Sequence, residues 1–160
     1  MKIEIREKQQ SDQDWIEGIL KARWGDVKIV SRERMHDASK LPAFIAIVNG
    51  IRMGLITYRF SPNGCEIKSV DSLRDGMGIG KKLIDKVKEI TIGNGMRRLW
   101  LITTNDNCRA IGYFQIQGFH LTELYPGIVE KYRQMKPQIP EIGYNNIPIR
   151  DELVLEMKLR

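Results

Sequence analysis

Three glycines at alternate positions, Gly76, Gly78 and Gly80, join a strand-like run ending near Val70 to an amphipathic helical pattern, and no other stretch constrains the fold as much. Glycine can take φ > 0 and lets backbone lie against a ligand where a side chain could not. Ile79, Leu83, Val87 and Ile90 make one stripe of the pattern that follows, with Lys81, Asp85, Lys88 and Glu89 around the rest. A helix start carries unpaired N–H groups and the positive end of the helix dipole, so the junction reads as a cradle for phosphate.

Two phosphate motifs are excluded by spacing. A Walker A loop needs glycine at position 75, which is Asp, and Ser or Thr at 82, which is Lys. The dinucleotide fingerprint G-x-G-x-x-G fails because the glycines are spaced two and two, and because the preceding strand belongs to an antiparallel meander.

The meander can be followed along the chain. Residues 2–7 alternate as a half-buried strand does, and Ser11 or Asp12 is placed to cap a helix carrying Trp15, Ile16, Ile19 and Leu20 that stops near Trp24-Gly25. Residues 26–40 fit a short helix or an irregular loop. The apolar run 43–48, the Asn49-Gly50 hairpin signal and the strand 51–60 follow, and Ser61-Pro-Asn-Gly64 turns the chain into a third strand, 65–70. After the glycine helix, 98–103 reads as a buried strand, 108–117 as a helix closed by Gly118, 119–124 as a strand and 127–135 as a helix. Pro137, Pro140, Gly143 and Pro148 leave 136–150 an irregular loop or lid before a last strand at 152–159. The expectation is one α+β domain over residues 1–160, a central, mostly antiparallel mixed sheet of six or seven strands flanked by helices.

The chain has 160 residues and a net charge of +6, which suits a nucleic acid, an anionic surface or a phosphorylated small molecule. Its basic residues are interleaved with acids, so nucleic acid is disfavoured. No apolar run approaches the ~18 residues of a membrane span, and MKIEIREKQQ is charged from its second residue, so the expected location is the cytoplasm. Cys65 and Cys108 have no metal spacing and read as free thiols.

The loop gains a second meaning beside the segment that follows it. Asp75-Gly-Met-Gly78-Ile-Gly80 resembles the Q/R-x-x-G-x-G/A loop of the GNAT superfamily of acetyl-CoA-dependent N-acetyltransferases. Asn107-Cys-Arg-Ala110-Ile-Gly-Tyr-Phe114-Gln-Ile-Gln-Gly118-Phe119 is similar to that family's N-x-x-A-x-x-x-Y-x-x-x-G-F. The two motifs stand at the family's separation, and the element order to about residue 125 agrees with it. Two positions depart: Asp75 stands at the Gln/Arg position, and Phe114 where many members carry the Tyr that protonates the leaving thiolate.

The resemblance implies direct transfer from acetyl-CoA to a small-molecule or protein amine, and it leaves a homodimer open. It implies cofactor contacts from the backbone of Val70, from Asp75, Gly76, Met77, Gly78, Ile79, Gly80 and Lys81, and from Asn107 and Phe114; Asn107 serves equally as a helix cap. Glu66 is the candidate base, four residues before Val70 and so expected on the same strand face; a Lys-paired Glu or a water relay are the other readings. Tyr113 neighbours the missing acid but points about 100° away on a helix. The acceptor is expected between residues 24–35 and the lid, with Trp24, Tyr58, Tyr125 and Tyr144 as candidate lining. An acyl-CoA-binding sensor or partner domain without chemistry is the alternative function.

Overall fold

The structure, a computed structural model, describes residues 2–31 and 34–160. Among the described residues the chain is α+β, with a seven-stranded, mostly antiparallel sheet and four α-helices. It divides into two compact units: Met1–Ile29, His36–Leu99 and Leu159–Arg160 form the first, and Val30–Met35 with Trp100–Lys158 form the second.

In the first unit, β1 (Ile3–Glu7), β4 (Ala43–Val48), β5 (Ile51–Ser61) and β6 (Gly64–Ser72) pair antiparallel in that order. Asn49 and Gly50, at φ 52° and 76°, make the expected two-residue hairpin between β4 and β5. One face of these strands takes α1 (Gln13–Trp24), whose Ile16 and Leu20 are fully buried with Ala38, Ala43, Ile45 and Leu55. Each large apolar side chain among them contributes roughly 1.5–3 kcal/mol by leaving water. The other face takes α2 (Ile79–Gly93), which buries Ile79, Leu83, Ile84 and Val87. A Cβ at Gly54 would stand 2.5 Å from Ile79 Cγ2 and 3.1 Å from Leu83 Cδ1, so this glycine lets the start of α2 settle onto β5.

Two local expectations are corrected. Asp12 does not cap α1 with its side chain; it lies in a short 3₁₀ turn and accepts the Gln9 N–H at 2.7 Å and the guanidiniums of Arg6 and Arg52. Within residues 26–40 the chain forms two short strands, β2 (Lys28–Ser31) and β3 (Arg34–Asp37), paired with each other, and then a 3₁₀ turn at Ala38–Lys40; positions 32 and 33 of that stretch lie outside the described residues.

β7 (Arg98–Thr104) leads into the second unit, where α3 (Cys108–Ile116), β8 (His120–Tyr125), α4 (Ile128–Met135) and β9 (Glu152–Lys158) follow. β8 and β9 pair antiparallel with a bulge between Leu121 and Glu123. Phe114 packs edge-on against Phe119, and Gly118, at φ 103°, turns the chain between them. The irregular segment 136–150 is tied down by polar groups. Arg133 donates to the carbonyls of Ile139, Pro140 and Ile149; Asn105 bonds Pro148, Arg150 and Asp151; and the Asp106 carboxylate accepts the Tyr144 N–H. No helix among the described residues is long and apolar enough to cross a membrane.

Candidate active site

The glycine turn is built as its sequence requires. Gly76 and Gly78 take φ of 81° and 76°, a region that costs an L side chain roughly 1–2 kcal/mol. A Cβ at either position would meet nothing within 4 Å, so the space over this backbone is open. Among the described residues no side chain caps α2, and the Lys82 N–H reaches back across its start to the Gly78 carbonyl at 3.1 Å. An uncapped helix start under an open, side-chain-free turn fits a pyrophosphate. Around it Asp75 and Lys81 are exposed, Met77 and Gly80 half-buried, and Ile79 is held in the core. The Lys81 ammonium bonds Asp85 at 2.8 Å, an exposed pair of the kind that contributes little.

β6 does not keep a single alternation from Glu66 to Val70. Thr57 stands opposite Ser69, but Tyr58 stands opposite Ile67, so Lys68 is an extra residue, a β-bulge. Glu66 pairs with Arg59 and Val70 with Ile56; Arg59 and Ile56 are three apart on unbulged β5 and therefore face opposite ways. The expectation that Glu66 and Val70 share a face is thus overturned by one residue. Glu66, only 3% exposed, bonds the buried Lys68 ammonium at 3.1 Å and lies 3.8 Å from the Arg59 guanidinium.

The bulge also decides which groups share the α1 face. Thr57 and Ser69 exchange a 2.5 Å hydroxyl bond there, and Asp71, opposite Leu55, accepts the Trp24 indole N–H at 3.0 Å. Burial raises the Asp71 carboxyl above its ordinary value, against the opposing pull of the Trp24 bond and the Arg23 charge. Tyr58 lies on the other face, stacked on Phe44 with ring centroids 5.6 Å apart, and burial pushes its hydroxyl up to about 12. Trp24 and Tyr58 therefore cannot line one surface. Asp71 belongs to neither sequence motif, and in a strand that already carries Glu66 and Lys68 an acid immediately after Val70 gives little signal in the sequence.

In the second unit Asn107 is the N-cap of α3, its Oδ1 accepting the Ala110 N–H at 3.3 Å. Phe114 is 9% exposed, and Tyr113 is half-buried with its ring edge-on to Phe114 at 5.3 Å. Tyr125 bonds Glu123 on its own strand, and Tyr144 is 63% exposed.

The model of the acetyltransferase (GNAT) family matches residues 8–119. The chain is 36% identical over 152 residues to the uncharacterised protein YxbD of Bacillus subtilis (strain 168), covering 94% of this chain and 96% of that one. Among solved structures it is similar to an IAA acetyltransferase from Bacillus cereus ATCC 14579, at TM-score 0.75 and 23% identity, over 99% of this chain and 100% of that one. A GNAT acetyltransferase from Elizabethkingia anophelis, solved with acetyl-CoA bound, superposes at TM-score 0.68 and 18% identity, over 98% of each chain. With the match spanning both the glycine turn and the Asn107–Phe119 motif, this chain belongs to the GNAT acetyltransferase family.

Proposed function

We propose that the protein transfers an acetyl group from acetyl-CoA to a primary amine by direct attack in a ternary complex. The observation that carries this is the uncapped start of α2 under Gly76 and Gly78, whose open space suits a pyrophosphate in a chain of this family. Bound acetyl-CoA supplies the activated acyl group as a thioester. The backbone N–H groups of residues 76–81 hold the phosphates, and the side chain of Asp75, with no N–H of its own, adds nothing to that hold. The Lys81 ammonium, with three donors of which one bonds Asp85, adds positive charge beside them. The backbone of Val70 supports the thioester carbonyl, as a donor aimed where oxyanion charge develops. Asn107 and Phe114 complete the cofactor contacts in this reading, Asn107 through whatever its cap leaves spare. Glu66 and Tyr113 are proton-handling groups in it; Lys68 donates to Glu66 Oε2, and Oε1, 3.8 Å from the Arg59 guanidinium, is the oxygen that would take a proton.

Acetyl-CoA at 100 times its Kd is expected to add about 2.7 kcal/mol of stability, read as a thermal shift. No shift at millimolar acetyl-CoA overturns the proposal. Thermal shift without thiol release on a panel of amines favours the binding-only reading, for which Phe114, lacking a hydroxyl, is the supporting observation.

Gly78→Ala separates binding from folding. It is expected to weaken acetyl-CoA about tenfold or more, equal to about 1.4 kcal/mol, because the new Cβ enters the open space over the turn. Isothermal titration with acetyl-CoA measures this. The apo protein loses only the roughly 1–2 kcal/mol of left-handed strain.

A further inference from the structure

Two buried acids of the first unit are treated very differently. Asp12, 0% exposed, is met by two guanidiniums and a backbone N–H. Asp71, 7% exposed, has no cation on it: among the described residues the Trp24 indole is the one hydrogen-bond donor to its carboxylate, bonding Oδ2. The nearest basic residue in sequence on α1, Arg23, turns its guanidinium to the Ser72 carbonyl at 3.5 Å instead. Buried carboxylates are ordinarily paired, and an indole carries no charge. Asp71 Oδ1 therefore keeps its lone pairs at the end of β6, one residue after Val70 and one residue before the strand ends.

We infer that Asp71 is the site for the acceptor's ammonium group, and that the acceptor is a cationic primary amine. This rests on the acetyl-transfer reading for its chemistry. The incoming cation supplies the charge that the fold withholds. One N–H bond of the ammonium then breaks and an Oδ1–H bond forms, leaving a neutral amine with its lone pair free and a neutral carboxylic acid. Trp24 keeps Oδ2 occupied throughout and so fixes which oxygen receives the proton. Burial, which already favours the protonated acid, helps that transfer. Among the described residues of its unit, the groups facing Asp71 are Trp24 and Arg23 from α1 and the apolar Leu55 from β5, and of these Arg23 opposes protonation by its charge.

The test follows the Trp24 indole N–H by ¹⁵N NMR while the full chain is titrated with n-butylamine, spermidine and a peptide with a free N-terminus. The expected result is a saturable shift of that resonance with at least one amine in the wild type and none in Asp71→Asn. In acetyl transfer, Asp71→Asn is expected to lose about 10²-fold or more. It should keep the wild-type thermal shift with acetyl-CoA and lose the ionisation that the wild-type pH profile shows, while Asp71→Glu regains part of the rate. An indole resonance that none of the three amines moves overturns the inference, as does transfer by Asp71→Asn within about threefold of wild type; the latter is far short of the loss of a proton acceptor. If Asp71→Asn does not fold, the wild-type titration decides by itself. A wild type that binds amines but gives no thermal shift with acetyl-CoA overturns acetyl transfer and leaves the amine site standing.

Discussion

Replacing Asp12 by alanine is expected to destabilise the protein by about 3 kcal/mol or more at neutral pH. The carboxylate is fully buried and accepts four bonds, from Arg6 Nη1 at 2.7 Å, Arg6 Nη2 at 3.0 Å, Arg52 Nε at 2.9 Å and the Gln9 N–H at 2.7 Å. Truncation leaves a backbone donor and two cations without their acceptor. Both arginines are partly exposed, at 24% and 35%, which allows water to take up some of the loss and keeps the figure at the lower end of the range for broken buried pairs. The bond from Arg6, first among several donors, holds the Asp12 carboxyl far below its ordinary value. Its contribution is therefore present above the unfolded value of about 3.9 and is lost as pH falls toward the folded one. Urea unfolding should show the gap between wild type and Asp12→Ala widest near pH 7 and narrowing below about pH 4. A constant gap across that range would mean that the loss is one of packing rather than charge.

Gly64→Ala should be comparably damaging for a reason unrelated to charge. Its Cβ would collide with the Arg98 carbonyl oxygen and lie 2.9 Å from Arg98 Cβ, and the backbone sits at φ 123°. Neither obstacle is the movable end of a side chain, so the strand itself must shift. Overpacking of this kind takes about 1–3 kcal/mol, and the strained backbone adds a similar amount. A combined loss of about 3 kcal/mol corresponds to roughly 6–12 °C in Tm for a chain of this size. Gly50→Ala is the control, because at φ 76° it carries the strain and meets no neighbour. Equal losses in the two variants would remove the contact with Arg98 from the explanation.

The parts of the molecule legible in the sequence are those fixed by local rules. Asn49-Gly50 specifies a hairpin because both residues tolerate left-handed backbone, and the glycines ahead of Ile79 specify an uncapped helix start for the same reason. The two motifs around Gly78 and Asn107 both fall within residues 8–119, the stretch that matches the family. What could not be read depends on partners distant in the chain. Residues 26–40 mix charge with apolar side chains in no clean period, and within them Lys28–Ser31 and Arg34–Asp37 become strands by pairing with each other. Lys68 looks like any other residue of β6 until β5 supplies one partner too few, and that single count reverses the face of everything after it. Asp12 reads as a helix cap from its neighbours alone; Arg52, forty residues on, makes it a hub. Asp71 becomes conspicuous only once burial and the missing cation are seen together.

Arg133 has a consequence for how any ligand would meet the C-terminal segment. One guanidinium holds the carbonyls of Ile139, Pro140 and Ile149, so it closes a loop of about ten residues on itself. Closing such a loop takes about 2 kcal/mol of chain entropy, and that loss is met when the protein folds rather than when a ligand arrives. Tyr144, Asn145 and Asn146 at its tip are thereby presented as a preset surface. Recognition there would proceed with little ordering penalty, and selectivity among ligands would come from shape and polarity rather than from an induced closure.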